Sequence, residues 1–252
     1  MPVSRTQLLT GLALLGVFTV ILFPARTAVG WFAPADVSVF GVSGTVWEGR
    51  ARIIRIGNMQ LRNSEWDLSI LRLFTGRLAG DFKTRWSGGF MEGFGSIGVS
   101  GTVSLRDATL SMDISMLDNL MGVGNIGGQL SARLAELELM DNWPQRLVGT
   151  GEVRNLTSAM MGQGRPQTLG SIGFNFDTST ETDSEVVTGQ LRDTGGPLEL
   201  SGTLVLTPPG NYELKTRIKA RPGAAPALLN NLSFLGAADP DGSRLFQLAG
   251  SI

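Results

Sequence analysis

The sequence predicts a mainly β protein: an N-terminal transmembrane helix, then a large curved antiparallel β-sheet domain with glycine-led repeats and one short helix near the C-terminus. Three observations predict it. An uncharged run opens the chain. Beyond residue 36, apolar residues recur with period two. Glycine is abundant, with 34 among 252 residues. Period-two alternation places one set of side chains on one face of a strand, and glycine supplies the backbone freedom that many tight turns require.

The run "TQLLTGLALLGVFTVILFPA" (Thr6–Ala25) holds 20 consecutive uncharged residues. A helix of that length covers about 30 Å at about 1.5 Å per residue, the thickness of a bilayer's hydrocarbon core. Arg5 precedes the run and Arg26 follows it, so the positive-inside rule gives only a weak bias toward a cytoplasmic N-terminus. The expected organisation is a cytoplasmic N-terminus (1–5), a transmembrane signal anchor (6–28) and a periplasmic β-rich domain (29–252). A cleaved signal peptide is the rival. The string Ala33–Ala35 resembles a cleavage site, but it lies well beyond the apolar run, and the run is longer than a signal-peptide core.

Several strands follow from alternation. Trp66, Leu68 and Ile70 alternate, as do Leu78, Phe82 and Trp86 with Gly80 and Thr84 between them, and then Leu110, Met112, Ile114 and Met116 with Ser and Asp between them. Residues 117–145 fit two readings: Leu130, Leu134 and Leu137 suit a helix, whereas Leu130, Ala132 and Leu134 suit a strand. Residues 186–220 predict a three-stranded antiparallel meander, because "DTGG" and "PPGN" separate its alternating runs. Positive φ is expected across Asp193–Gly196, so Gly195→Val is expected to destabilise the domain. Pro226–Leu235 predicts a helix. Proline suits its first turn, Leu228, Leu232 and Leu235 share a face, and Gly236 can end it.

One string recurs. "VSGTVW" (42–47) is echoed by "VSGTVS" (99–104) and "LSGTLV" (200–205), more loosely by "TGQL" (188–191) and "GTGEV" (149–153). Glycine at the start or middle of a strand marks a bend, a bulge or a close backbone approach. Trp47 is special to the first copy, since Ser104 and Val205 take its place in the echoes. It is expected to pack into the first part of the sheet and fix the domain relative to its anchor. Truncating a buried aromatic costs about 3–5 kcal/mol. Trp31 and Phe32 are expected at the lipid interface.

Composition excludes much chemistry. The net charge is −1 and the 18 arginines are scattered, which leaves no electrostatic case for nucleic acid. The absence of cysteine and histidine removes disulfides, Cys nucleophiles, Ser-His-Asp triads and Cys/His zinc sites. "GVGNIG" (Gly122, Gly124, Gly127) matches a dinucleotide-binding string but lacks the preceding apolar strand and the βαβ pattern. The pairs Glu65/Asp67 and Glu136/Glu138 read as solvated strand faces. No catalytic residue, cofactor or metal is expected, and the chain is read as a non-enzyme.

"GVSGTVWEGRA" soon after the anchor, then "SEWDLSILRLFTGRLAGDF", resembles the type II secretion system protein N family. The residues that carry the resemblance are Gly44, Thr45, Trp47, Gly49 and Arg50, with Glu48 where the family has a small polar residue. Trp66 and the segment from Leu71 to Leu78 follow. "GQLRDTGGPLELSGTLVL" adds the turn Asp193, Gly195, Gly196 and Pro197, and residues 117–185 are the least distinctive. The resemblance implies a single-pass protein of the bacterial inner membrane, its bulk in the periplasm, as an accessory component of the machine that exports folded proteins across the outer membrane. Its partners would be other secretion components and, through the anchor, the membrane. The family has no known catalytic residues to carry over. A second reading is an AsmA-like protein that handles lipid in a groove lined by Trp66, Leu68, Phe82 and Trp86. A face closed by the helix at Pro226–Leu235 would favour a structural domain instead.

Overall fold

The computed structural model describes residues 5–57, 59–117, 126–141, 143–159, 165–178 and 186–251. The chain divides into two compact units. The first comprises residues 1–87 and 92–99, the second residues 88–91 and 100–252. The fold is mainly β and antiparallel, as expected.

The first unit opens with α1 (Arg5–Ile21) and α2 (Ala25–Phe32). No helix among the described residues is long and apolar enough to cross a membrane, which corrects the expected continuous span over residues 6–28. Pro24 is the physical reason. It has no N–H to continue the helix, and its extended backbone (φ −69°, ψ 132°) redirects the chain before α2. The 17 residues of α1 cover about 26 Å. At 100° per residue, the exposed Leu9, Leu12, Leu14, Leu15, Val17, Phe18 and Val20 point in every direction, so α1 has no polar face.

The strands of this unit are β1 (Val37–Phe40), β2 (Ser43–Gly44), β3 (Glu48–Ile56), β4 (Met59–Leu68) and β5 (Arg77–Trp86). β1 and β2 both pair with β3, β3 with β4, and β4 with β5, all antiparallel. Ile70 does not continue β4. It opens the short helix α3 (Ile70–Leu73), which replaces the strand that alternation predicted there. The division between units falls within β6 (Gly89–Gly98).

In the second unit β7 (Val103–Asp113), β8 (Ile126–Met140), β9 (Trp143–Ser158), β10 (Gln167–Asp177), β11 (Val187–Gly195), β12 (Leu198–Thr207), β13 (Asn211–Ala220) and β14 (Arg244–Ser251) follow in chain order. Each pairs antiparallel with the next. The open reading at 126–140 resolves as a strand. β7 and β9 flank it, and Leu130 and Leu134 sit opposite Met112 and Ala108 on one side and Val153 and Gly149 on the other. Ile114 and Met116 leave the strand predicted for them. The Asp113 carboxylate accepts the N–H of Ser115 at 2.9 Å and its hydroxyl at 2.6 Å, which favours the 3-10 turn Ile114–Leu117 over continued pairing.

The meander over β11–β13 matches its prediction. The helix α4 (Pro226–Ser233) also forms, ending two residues before Leu235. Leu228 is 0% exposed and Leu232 is 4% exposed, packed on Leu198 and Ile218 of β12 and β13. The glycine-led string takes different conformations in its three clear copies. Gly44, the last residue of β2, and Gly101, two residues before β7, have positive φ (89° and 80°), whereas Gly202 lies within β12 against Thr216.

Candidate functional site

The first group of motif residues builds a junction between the N-terminal helices and the first strands. Thr45–Glu48 is a tight turn: the Thr45 N–H donates to the Glu48 carbonyl (2.8 Å), and the Glu48 N–H donates to Thr45 Oγ1 (3.0 Å). The corner between α1 and α2 is held to this turn at three points. The Val46 N–H donates to the Phe23 carbonyl (2.9 Å), Thr45 forms a β-bridge with Pro24, and Trp47 Nε1–H donates to the Val20 carbonyl (2.7 Å).

Elementary helix geometry explains the last contact. The carbonyl of residue 20 would ordinarily accept the N–H of residue 24, four positions on. Residue 24 is proline and has none. The Phe23 N–H reaches Val20 only at 3.3 Å, and the Trp47 indole supplies the closer donor. Trp47 is therefore half-buried at the helix end rather than packed inside the sheet, which corrects that part of the expectation.

Trp66 completes the junction. Its Nε1–H donates to the Val46 carbonyl (3.0 Å). Its ring lies over Gly49, where a Cβ would stand 2.5 Å from the ring and 2.7 Å from the Thr45 carbonyl oxygen. Glycine at 49 is what lets the tryptophan lie flat against β3. Ala25 and Ala51 are buried in the same unit, while Arg50 is exposed on β3, in register with Ser43 and Glu65.

The second group lies in the second unit. Asp193 Oδ1 accepts the Leu200 N–H (2.9 Å), and its other oxygen pairs with the Arg221 guanidinium. Arg221 also donates to the carbonyls of Gly196 (3.0 Å) and Leu198 (2.7 Å), and its N–H donates to the Pro197 carbonyl (2.8 Å). Burial raises the Asp193 carboxyl's pKa, but the Leu200 N–H and Arg221 together outweigh it and hold the pKa below the ordinary value. Of the four residues expected at positive φ, Gly195 (150°) and Gly196 (118°) adopt it, while Asp193 and Thr194 stay extended in β11.

Sequence reasoning missed Val20, Pro24 and Arg221. Pro24 was a readable signal, since it orphans a carbonyl. Nothing local marks Arg221 as the partner of Asp193.

No group of three or more metal-ligating residues is found among the described residues. Glu136 is held by Arg106 (3.6 Å) and Arg146 (2.7 Å). Of the string Gly122, Gly124, Gly127, the first two lie outside the described residues, and Gly127 sits in β8 opposite Thr157. Trp66, Leu68, Phe82 and Trp86 are half-buried.

These features define a β-sheet protein tied at a tryptophan-bearing turn to an apolar N-terminal helix. A sequence profile of the family described as "Type II secretion system (T2SS), protein N" matches residues 35–247, and the chain belongs to that family. It is 26% identical to the type II secretion system protein N of Aeromonas hydrophila over 245 residues, 92% of this chain and 91% of that one. It is 33% identical to the protein of the same description from Vibrio cholerae serotype O1 (strain ATCC 39315 / El Tor Inaba N16961) over 82 residues, 32% of each chain. No solved structure matches the chain. The protein is a component of the type II secretion system.

Proposed function

We propose that the protein is an accessory inner-membrane component of type II secretion. In this reading residues 6–28 anchor it, residues 29–252 lie in the periplasm, and it supports export of folded proteins by contacts with other secretion components rather than by catalysis. The observation that carries this reading is α1, apolar on every side, whose C-terminal corner is joined to the Thr45–Glu48 turn before β3 through the carbonyls of Val20 and Phe23. A helix without a polar face exposes large apolar area in water, and lipid covers that area. A stretch shorter than the hydrocarbon core is accommodated by local thinning of the bilayer. A domain held firmly at its tether suits a component that must present surfaces at a fixed height above the membrane.

The test pairs fractionation with a secretion assay. The protein is expected to resist alkaline carbonate extraction from membranes and to be protease-accessible in spheroplasts. Its deletion is expected to leave exported proteins in the periplasm. A carbonate-soluble protein would overturn the anchor, and unchanged secretion on deletion would overturn the role.

A further inference from the structure

We propose that the end of the first unit from which α1 departs is itself a lipid-contacting surface, with Leu71, Phe74 and Val99 entering the bilayer that receives α1. The inference rests on the anchor reading but adds a second, peripheral contact made by segments far along the chain.

Register places these residues. Trp47, which holds the last turn of α1, accepts the Leu68 N–H through its own carbonyl at 2.5 Å. β4 therefore ends beside the helix corner, and α3 begins there. From Leu68 to Leu71 the chain can reach at most about 10 Å. The Gly76 carbonyl accepts the Val99 N–H (3.1 Å), which brings the end of β6 back to the same place. α1, α3 and Val99 thus share one end of the unit.

That end is apolar where water would favour polar loops. Leu71 is 76% exposed, Phe74 85% and Val99 93%. Leu73, Leu78 and Ile97 are also exposed beside them. An apolar cluster at loop tips is a contact surface, and single scattered residues would not need one. Its occupant is set by position, because any bilayer holding α1 lies against this end. Charge agrees with that orientation. Arg72 sits 4.7 Å above the Phe94 ring and Arg77 opens β5, both at the height of anionic headgroups. The carboxylates of Glu48, Asp67 and Asp81 form a cross-strand row one step further from the tips, on the water side.

The chain has no cysteine, so single-cysteine variants can carry an environment-sensitive fluorophore. The full chain would be reconstituted into phosphatidylethanolamine–phosphatidylglycerol vesicles containing acyl-brominated lipid. Labels go at Leu71→Cys, Phe74→Cys and Val99→Cys, with Phe18→Cys in α1 and Arg55→Cys, at the far end of β3, as references. Labels at 71, 74 and 99 are expected to be quenched as residues lying about 5–10 Å below the headgroup boundary are, and the label at 55 is not. A label at Leu73→Cys should lose most of its quenching when Leu71, Phe74 and Val99 become serine, which excludes insertion by the fluorophore alone. If Phe18 is quenched while 71, 74 and 99 behave like 55, the surface faces a protein and the inference fails while the anchor stands. If Phe18 itself is unquenched, the anchor fails and this inference falls with it.

Discussion

Val20 and Trp47 are 27 residues apart, yet together they solve one hydrogen-bonding problem at the end of α1. Trp47→Phe keeps an aromatic but smaller ring and removes the donor, so it is expected to cost at least the about 1 kcal/mol of the lost hydrogen bond in thermal unfolding of the purified chain. Trp47→Ala also removes a half-buried ring, and its cost should stay below the about 3–5 kcal/mol of a fully buried aromatic. Abundance and secretion should fall together. Normal abundance with lost secretion would instead make Trp47 a partner-binding residue. Asp193 makes a second prediction at this scale. Its native pKa lies below its unfolded value, so its ionisation contributes stability above the ordinary aspartate range, about 3.9. That contribution is lost as pH falls through the lower native value. Asp193→Asn is expected to destabilise the protein at neutral pH, by roughly 1.5–3 kcal/mol for bonds to a charged group. The difference from wild type should shrink in melts below about pH 3.9. A pH-independent difference would show that the charge is not its source.

Among the elements, the β11–β12 turn and α4 are the most exposed to test. A Cβ at Gly195 meets nothing within 4 Å, so the cost of Gly195→Val is conformational, about 1 kcal/mol or more at positive φ. At Gly196 a Cβ would strike the backbone of Gly170, so even Gly196→Ala adds a collision and should cost more. Denaturant midpoints of the two variants separate strain from close approach. Leu228 fixes α4 to β12 and β13, and Leu228→Ala should cost about 2–5 kcal/mol. Leu229→Ala, on the exposed side of the same helix, should stay within about 0.5 kcal/mol. Equal effects would mean that α4 does not pack as described.

For the whole molecule, the junction argues about processing. Cleavage after Ala35 would remove Val20, Phe23 and Pro24, the partners of Trp47, Val46 and Thr45, and would uncover the face that Ala25 buries. Intact mass of the membrane-extracted protein is therefore expected to include residues before Val20. A species that begins at Asp36 and is soluble in the periplasm would refute both the anchor and the role assigned to Trp47.

What the sequence determined by itself was local or compositional. Alternation bounded by turn residues specified the β11–β13 meander, and proline with three leucines on one face specified α4, because those signals act between near neighbours. The lack of cysteine and histidine removed most site chemistry before any fold was known. What only the tertiary structure decided depended on partners far along the chain. Residues 126–140 carry both periodicities and became a strand because β7 and β9 offered ladders on both sides. Ile70 and Ile114 kept the alternation but lost their strands to α3 and to the turn that Asp113 caps. Pro24 was a local signal of a broken helix that the expected 6–28 span ran through, and that the orphaned carbonyl is met by an indole depends on topology carrying Trp47 to it. The same is true of Arg221 and Asp193, where a long-range ion pair leaves no pattern in the residues around either partner.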